Sequence, residues 1–258
     1  MNLQKLLLTK NDCYLKGVAM TPMGIMVHST GANNPTLKRY VNPDDGLLGL
    51  NLNNNHWNRA KPDNTNKCAH AFIGKLANGN IATYQTLPWE MRGWHAGSGT
   101  KGTANNGYIS FEICEDSLTD KTYFDKVYKE AVELAAMLCK KYNIKPEKPY
   151  LICHSEGKEL GIASAHADVM HWFPKHGKSM DTFRADVAKE INFAVKTPEE
   201  ITVENAVKDG VIADTDYWLN ALYGKITVNK EKLKEMIDKY HLVCANKNVQ
   251  IKNSINSI

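Results

Sequence analysis

The chain has 258 residues, of which 43% are apolar and 23% charged, with 17 Gly and 9 Pro. This composition excludes disordered, fibrous and collagen-like classes and fits one large domain, or a large one with a small companion. The net charge of +4 is too small and too dispersed for a nucleic-acid binder, and no RRM, KH or zinc-finger pattern accompanies it; a mild positive field reads first as an ordinary solvated surface and second as suited to an anionic polymer such as a bacterial wall.

Apolar runs such as Ile109–Cys114 are far too short to span a bilayer, so no membrane insertion is expected. The leucine run near Met1 is shorter than the core of a secretory signal, which predicts synthesis in the cytoplasm without a signal peptide. Cys13, Cys68, Cys114, Cys139, Cys153 and Cys244 are scattered without CxxC spacing. They read as reduced thiols, several of them in the core, and not as a disulfide framework.

In chain order, Gly24–His28 is a short apolar run ending in polar residues, a buried strand opening into a site. Asn33–Asn58 is rich in Asn, Gly and Asp and reads as a loop with some short helix. Ala69–Gly74 and Asn80–Gln85 flank Asn78-Gly79, a pair that favours positive φ at both turn positions and predicts a β-hairpin. Tyr108–Cys114 is the next strand. Thr122–Tyr142 is the clearest helix, with Phe124, Val127, Ala131, Leu134, Ala135 and Leu138 on one face and Thr122 and Asp125 as its N-cap pair. Pro146 and Pro149 lead into a strand over Tyr150–Cys153 that ends at His154, and Asp181 caps a helix bearing Phe183, Val187 and Ile191.

Composition shifts near Val195, dividing the chain into a larger domain over 1–195 and a small helical module over 196–258. Thr197-Pro198-Glu199-Glu200 is a helix start. Trp218, Leu219 and Leu222, then Leu233, Met236, Ile237 and Tyr240, continue at helical spacing. The expected fold class is α/β, a mixed central sheet flanked by helices with a small C-terminal helical module; strand directions stay open.

Four of the nine histidines fall between His154 and His176, and His28 sits at a strand end. Catalytic zinc takes imidazole and carboxylate and keeps three protein ligands plus an open position. Val27-His28-Ser29, Cys153-His154-Ser155-Glu156 and His166-Ala167-Asp168 supply such groups, whereas the HExxH helix is absent. His171, His176 and the pair Lys178/Asp181 are rival donors. Trp57 and Trp172 read equally as core or as sugar platforms, and His70 reads as a core histidine or as a group orienting a ligand.

From about Gly24 to Ile191 the order and spacing of several motifs resemble the second amidase family of peptidoglycan hydrolases, the zinc amidases shared by phage endolysins, bacterial autolysins and peptidoglycan recognition proteins. The carrying motifs are Val27-His28-Ser29-Thr30-Gly31, Cys68-Ala69-His70-Ala71-Phe72, Gly93-Trp94-His95-Ala96-Gly97, Ile109-Ser110-Phe111-Glu112-Ile113, Ile152-Cys153-His154-Ser155-Glu156 and His166-Ala167-Asp168. The run from His171 to Asp181 is similar to one in phage endolysins of Gram-positive hosts.

The resemblance implies a Zn2+ held by His28, His154 and Asp168, with Glu112 as general base and His166 as transition-state stabiliser. It also implies cleavage of the amide between N-acetylmuramic acid and L-alanine, while Trp94 and His95 read equally as a wall of the groove that holds sugar or peptide and as a packed Trp beside an exposed His. Many members follow the third ligand with Pro-Gly; here Val169-Met170 follows Asp168. The implied partner is bacterial peptidoglycan, with the tail expected to serve wall binding or assembly, self-association included. A non-catalytic binding module of the same fold and a cytoplasmic muropeptide-recycling amidase are the alternatives.

Overall fold

The computed structural model describes residues 1–193, 203, 205–222 and 226–255. It divides into two compact units, Met1–Asn192 and Phe193–Ile258. The first is built on six strands: β1 (Leu3–Lys5), β2 (Gly24–Ser29), β3 (Ala71–Lys75), β4 (Ile81–Gln85), β5 (Tyr108–Ile113) and β6 (Leu151–Cys153). They form one mixed sheet in the order β1-β4-β3-β5-β2-β6, in which only the β3–β4 pair is antiparallel. Its helices are α1 (Asp12–Lys16), α2 (Lys121–Tyr142), α3 (His154–Glu159) and α4 (Met180–Phe193).

The helix α2 connects β5 to β6, which lie on either side of β2 and run parallel to it. Parallel neighbours need such a crossover. Alternation along each strand then sorts the side chains. Ile25, Val27, Ile109, Phe111, Ile113, Leu151 and Cys153 join Phe124, Val127, Ala131 and Leu138 of α2 and Phe183 and Val187 of α4 in one core. The opposite face carries Phe72, Tyr84, Leu37, Tyr40 and Trp57 in a second core. On this second face the register aligns Phe72, Glu112 and His28 across β3, β5 and β2.

Several local expectations are corrected. The N-cap of α2 is Asp120, whose carboxylate accepts from the Tyr123 amide at 2.9 Å, so Thr122 lies inside the first turn. Ser179, not Asp181, closes the start of α4 by exchanging hydrogen bonds with Thr182. The β3–β4 hairpin exists, but Gly79 alone takes positive φ (84°) in its turn. Leu76 and Asn80 still pair by a 2.8 Å bond, leaving a three-residue loop that needs one left-handed position instead of two. The strand β1 and helix α1 were not anticipated.

The five cysteines with described side chains are free and buried. In the second unit, α5 (Thr215–Leu222) and α6 (Lys230–Ile255) are helical, and Leu233, Ile237 and Tyr240 are exposed. The helix start expected at Thr197–Glu200 lies outside the described residues. No helix among the described residues is long and apolar enough to cross a membrane.

Candidate active site

The carboxyl ends of β2, β5 and β6 open into a cleft of about 410 Å³. Such ends are where open sheets with parallel strands place their ligands. His28 is the fifth residue of β2 and Glu112, its register partner, is the fifth of β5, so both point into the cleft. His154 follows β6 directly as the first residue of α3. Asp168 opens a 3-10 turn over Asp168–His171 with φ of 44°, a conformation that a non-glycine residue adopts only when its surroundings hold it there.

Nδ1 of His28 lies 3.3 Å from Nδ1 of His154. Asp168 faces both, with Oδ1 3.6 Å from His28 Nδ1 and Oδ2 3.2 Å from His154 Nδ1. Oδ2 is buried and makes no hydrogen bond. Donors at about 2.0–2.1 Å around a tetrahedral zinc stand roughly 3.3 Å from one another; the spacings here are close to that, with Asp168 turning a different oxygen to each histidine. His28, His154 and Asp168 are the metal-capable cluster among the described residues.

The rival donors are engaged elsewhere. His171 pairs with Glu115 at 3.0 Å, and His176 stacks on Phe124 with centroids 4.1 Å apart. Lys178 pairs with Asp186, and Asp181 with Arg184.

The electrostatics of the cluster differ from group to group: burial lowers His28, but the Asp168 carboxylate outweighs it and raises the imidazole above its usual value. Burial, reinforced by His28, pushes His154 down to about 4, so it is neutral near pH 7. Burial raises Asp168, but the nearby His28, with smaller contributions from His154 and His166, outweighs it and holds the carboxyl below its usual range. Burial pushes Glu112 up to about 7, with the charge of His28 opposing the rise. Its Oε2 is buried without a hydrogen-bond partner, leaving a carboxylate that can exchange a proton near neutral pH.

His166 is exposed at the rim, stacked on His154 with centroids 4.6 Å apart and rings 13° from parallel. Trp94, Trp57 and Lys67 also line the cleft, and the Lys67 ammonium sits 4.7 Å above the Trp57 ring. His95 lines it too, but both of its ring nitrogens are engaged within the protein: Nδ1 lies 3.0 Å from His28 Nε2 and Nε2 lies 3.1 Å from the Tyr108 carbonyl. His70 is a core histidine bonded to Ser110 and to the Met91 carbonyl, and Trp172 is fully buried against Phe124.

Sequence reasoning missed the groups that hold this arrangement. Glu156 is buried and takes a bidentate pair from Arg184 at 2.9 and 3.1 Å, a bond from Lys148 at 2.8 Å and one from the Cys153 amide at 3.2 Å. Arg184 also donates to the Leu151 carbonyl at 3.1 Å. The start of α3, and with it His154, is thereby tied to α4. Only the position of Glu156 three residues after Cys153 signalled a cap, and Arg184 carried no sequence signal. Ser164, in a loop, and Asn105, in a short 3-10 turn, carried no sequence signal either.

The family model described as N-acetylmuramoyl-L-alanine amidase matches residues 19–174. The chain is 34% identical over 128 residues to N-acetylmuramoyl-L-alanine amidase CwlH of Bacillus subtilis (strain 168), covering 50% of this chain and 42% of that protein. It is 32% identical over 134 residues to N-acetylmuramoyl-L-alanine amidase XlyA of the same organism, covering 50% and 35%. The matches thus span less than half the length of these relatives. In fold it is similar to the solution structure of the PlyG catalytic domain, with a TM-score of 0.51 at 22% identity, covering 77% of this chain and 99% of that one. The matched segment runs past the 3-10 turn that carries Asp168 and takes in the whole cluster, and this chain belongs to the N-acetylmuramoyl-L-alanine amidase family.

Proposed function

We propose that this chain hydrolyses the amide joining the lactyl group of N-acetylmuramic acid to L-alanine in bacterial peptidoglycan, with zinc held by His28, His154 and Asp168. The observation that carries the reading is the convergence of these three donors with a carboxyl raised to about 7 in one open cleft. When bound, zinc supplies a water nucleophile near neutral pH and polarises the scissile carbonyl.

Glu112 does the proton work. Its ionised form takes a proton from the attacking water, and the resulting acid returns it to the leaving amine of alanine. A pKa near the working pH lets one group serve both steps. His166 stands at the rim, where its N–H can donate to the oxygen on which negative charge develops. Trp94 and Trp57 wall the cleft with apolar surface for sugar or peptide.

The resemblance of His171–Asp181 to phage endolysins favours wall lysis, as an endolysin or autolysin, over recycling of released muropeptides. Residues 1–195 serve as the catalytic domain and 196–258 as a module for wall binding or assembly; the two compact units support that division.

The test is incubation of the purified, zinc-loaded protein with Gram-positive cell walls, following newly freed N-terminal alanine and muramic lactyl groups. Release of both supports the reading. A protein that sediments with walls yet frees no alanine is a binding module instead.

A further inference from the structure

Both histidines of the cluster face it through Nδ1, and both have Nε2 engaged elsewhere. His28 Nε2 lies 3.0 Å from His95 Nδ1, and His95 Nε2 lies 3.1 Å from the Tyr108 carbonyl oxygen. Chemistry settles the directions. A carbonyl only accepts, so His95 carries its hydrogen on Nε2. A neutral imidazole has one N–H, so His95 Nδ1 is a bare lone pair and accepts from the His28 Nε2–H. His28 Nδ1 is then bare and faces Asp168.

The other arm repeats this logic. The Ala96 carbonyl accepts from the Ser164 hydroxyl at 3.2 Å. The Ser164 oxygen in turn accepts from the His154 Nε2–H at 3.2 Å. His154 Nδ1 is therefore bare as well. The two arms start at adjacent residues, His95 and Ala96. One group, Asn105 Oδ1, accepts both of their amide hydrogens, each at 2.9 Å. On its other side the segment is held by Trp94, which exchanges backbone bonds with Cys68 at 2.9 and 3.0 Å. Asn105 is itself buried, in a 3-10 turn over Ala104–Asn106 capped by Thr103.

We propose that the His95-Ala96 segment, pinned by Asn105, is a strap that sets the tautomer and the aim of both zinc-ligating imidazoles, with His95, Ser164 and Asn105 as positioning residues. This rests on the zinc reading above. It also assigns His95 a task other than contacting substrate, since neither ring nitrogen remains for it. One strap serving both ligands makes their geometry a single unit: loosening Asn105 disturbs both arms, whereas Ser164 disturbs only one. Partners of this kind fix the ring and its tautomer, and their loss typically costs 10–100-fold in metal affinity.

The experiment measures zinc affinity by competition with a chromophoric chelator for the wild-type chain and for His95→Phe, His95→Asn, Ser164→Ala and Asn105→Ala. Thermal unfolding of each metal-free protein serves as the folding control. His95→Phe keeps a ring of similar size without nitrogens and is expected to lose about 10–100-fold in affinity. His95→Asn places an oxygen where Nδ1 stood and is expected to recover most of that loss. Ser164→Ala loses affinity through the His154 arm alone and, being a small change in a half-buried loop, remains informative if a His95 variant fails to fold.

Long-range nitrogen–proton NMR on the zinc-loaded wild type is expected to show His95 protonated at Nε2 and bare at Nδ1. Wild-type affinity in all four variants overturns the proposal. So does equal loss in His95→Phe and His95→Asn, which would make the ring's packing and not its hydrogen bond the cause, and so does a proton on His95 Nδ1. A wild-type chain that takes up no zinc overturns the metal reading together with the strap, whereas equal zinc binding by wild type and variants overturns the strap alone.

Discussion

The Arg184–Glu156 pair offers a quantitative test of how α3 is held. Arg184→Met keeps most of the side chain's length and removes the guanidinium. Both partners are buried, at 8% and 6% exposure, so the substitution strips a bidentate pair from a carboxylate that stays out of water. Breaking a buried pair from one side costs about 3–5 kcal/mol. Lys148 still donates to Oε1 at 2.8 Å and the Cys153 amide to Oε2 at 3.2 Å, which places the expected loss near the lower end, about 3 kcal/mol. For a unit of this size that corresponds to roughly 6–12 °C in melting temperature. The bond from Arg184 to the exposed Asp181 adds little to this.

The pH dependence carries the sign of the effect. Burial raises the Glu156 carboxyl, but Arg184 and Lys148 outweigh it and hold its pKa below the usual range. The ionised pair therefore stabilises the fold above the ordinary carboxylate value of about 4.3, and that contribution disappears as pH falls through the depressed folded value. The deficit of Arg184→Met should accordingly be largest near pH 7 and shrink below pH of about 4. Thermal and urea unfolding of wild type and variant at both pH values measure it. A deficit under about 1 kcal/mol at neutral pH, or one that does not change on acidification, would refute the reasoning.

Glu112→Gln removes the proton acceptor while keeping shape, and is expected to lower turnover by about 10²–10⁴-fold with zinc content intact, read by alanine release and metal analysis. Asp168→Ala removes the third donor; metal analysis after dialysis should find the zinc lost and the wall assay should find activity lost with it. Retention of both would reopen the choice of ligand. Chelation of zinc from the wild type should lower the melting temperature, because an ion present at about 1,000 times its dissociation constant stabilises the folded state by about 4 kcal/mol. Gly24→Ala would put a Cβ 2.5 Å from the Tyr108 ring and 2.8 Å from the Tyr150 carbonyl. A loss of about 1–3 kcal/mol in urea unfolding is expected from that overpacking, and an unchanged midpoint would show that β2 shifts to make room.

The amino-acid sequence by itself determined the strand carrying His28, the strand carrying Glu112, the helix α2 and the short strand before His154, because each has an apolar period that survives without neighbours. Motif order carried the family. Local chemistry was less legible at element ends: Asp120 and Ser179 took the caps expected of Thr122 and Asp181, since a cap depends on which side chain reaches a free amide and not on the apolar pattern.

Only the tertiary structure decided which of the candidate donors stands beside the two histidines. Asp168, His171, His176 and Asp181 lie within one short stretch, and the turn's left-handed Asp168 sends that carboxylate inward while His171 turns to Glu115. It also brought His95, Asn105 and Arg184 to their hydrogen-bond partners. Their partners come from segments distant in the chain, and a hydrogen bond between distant segments leaves no periodic trace in either of them.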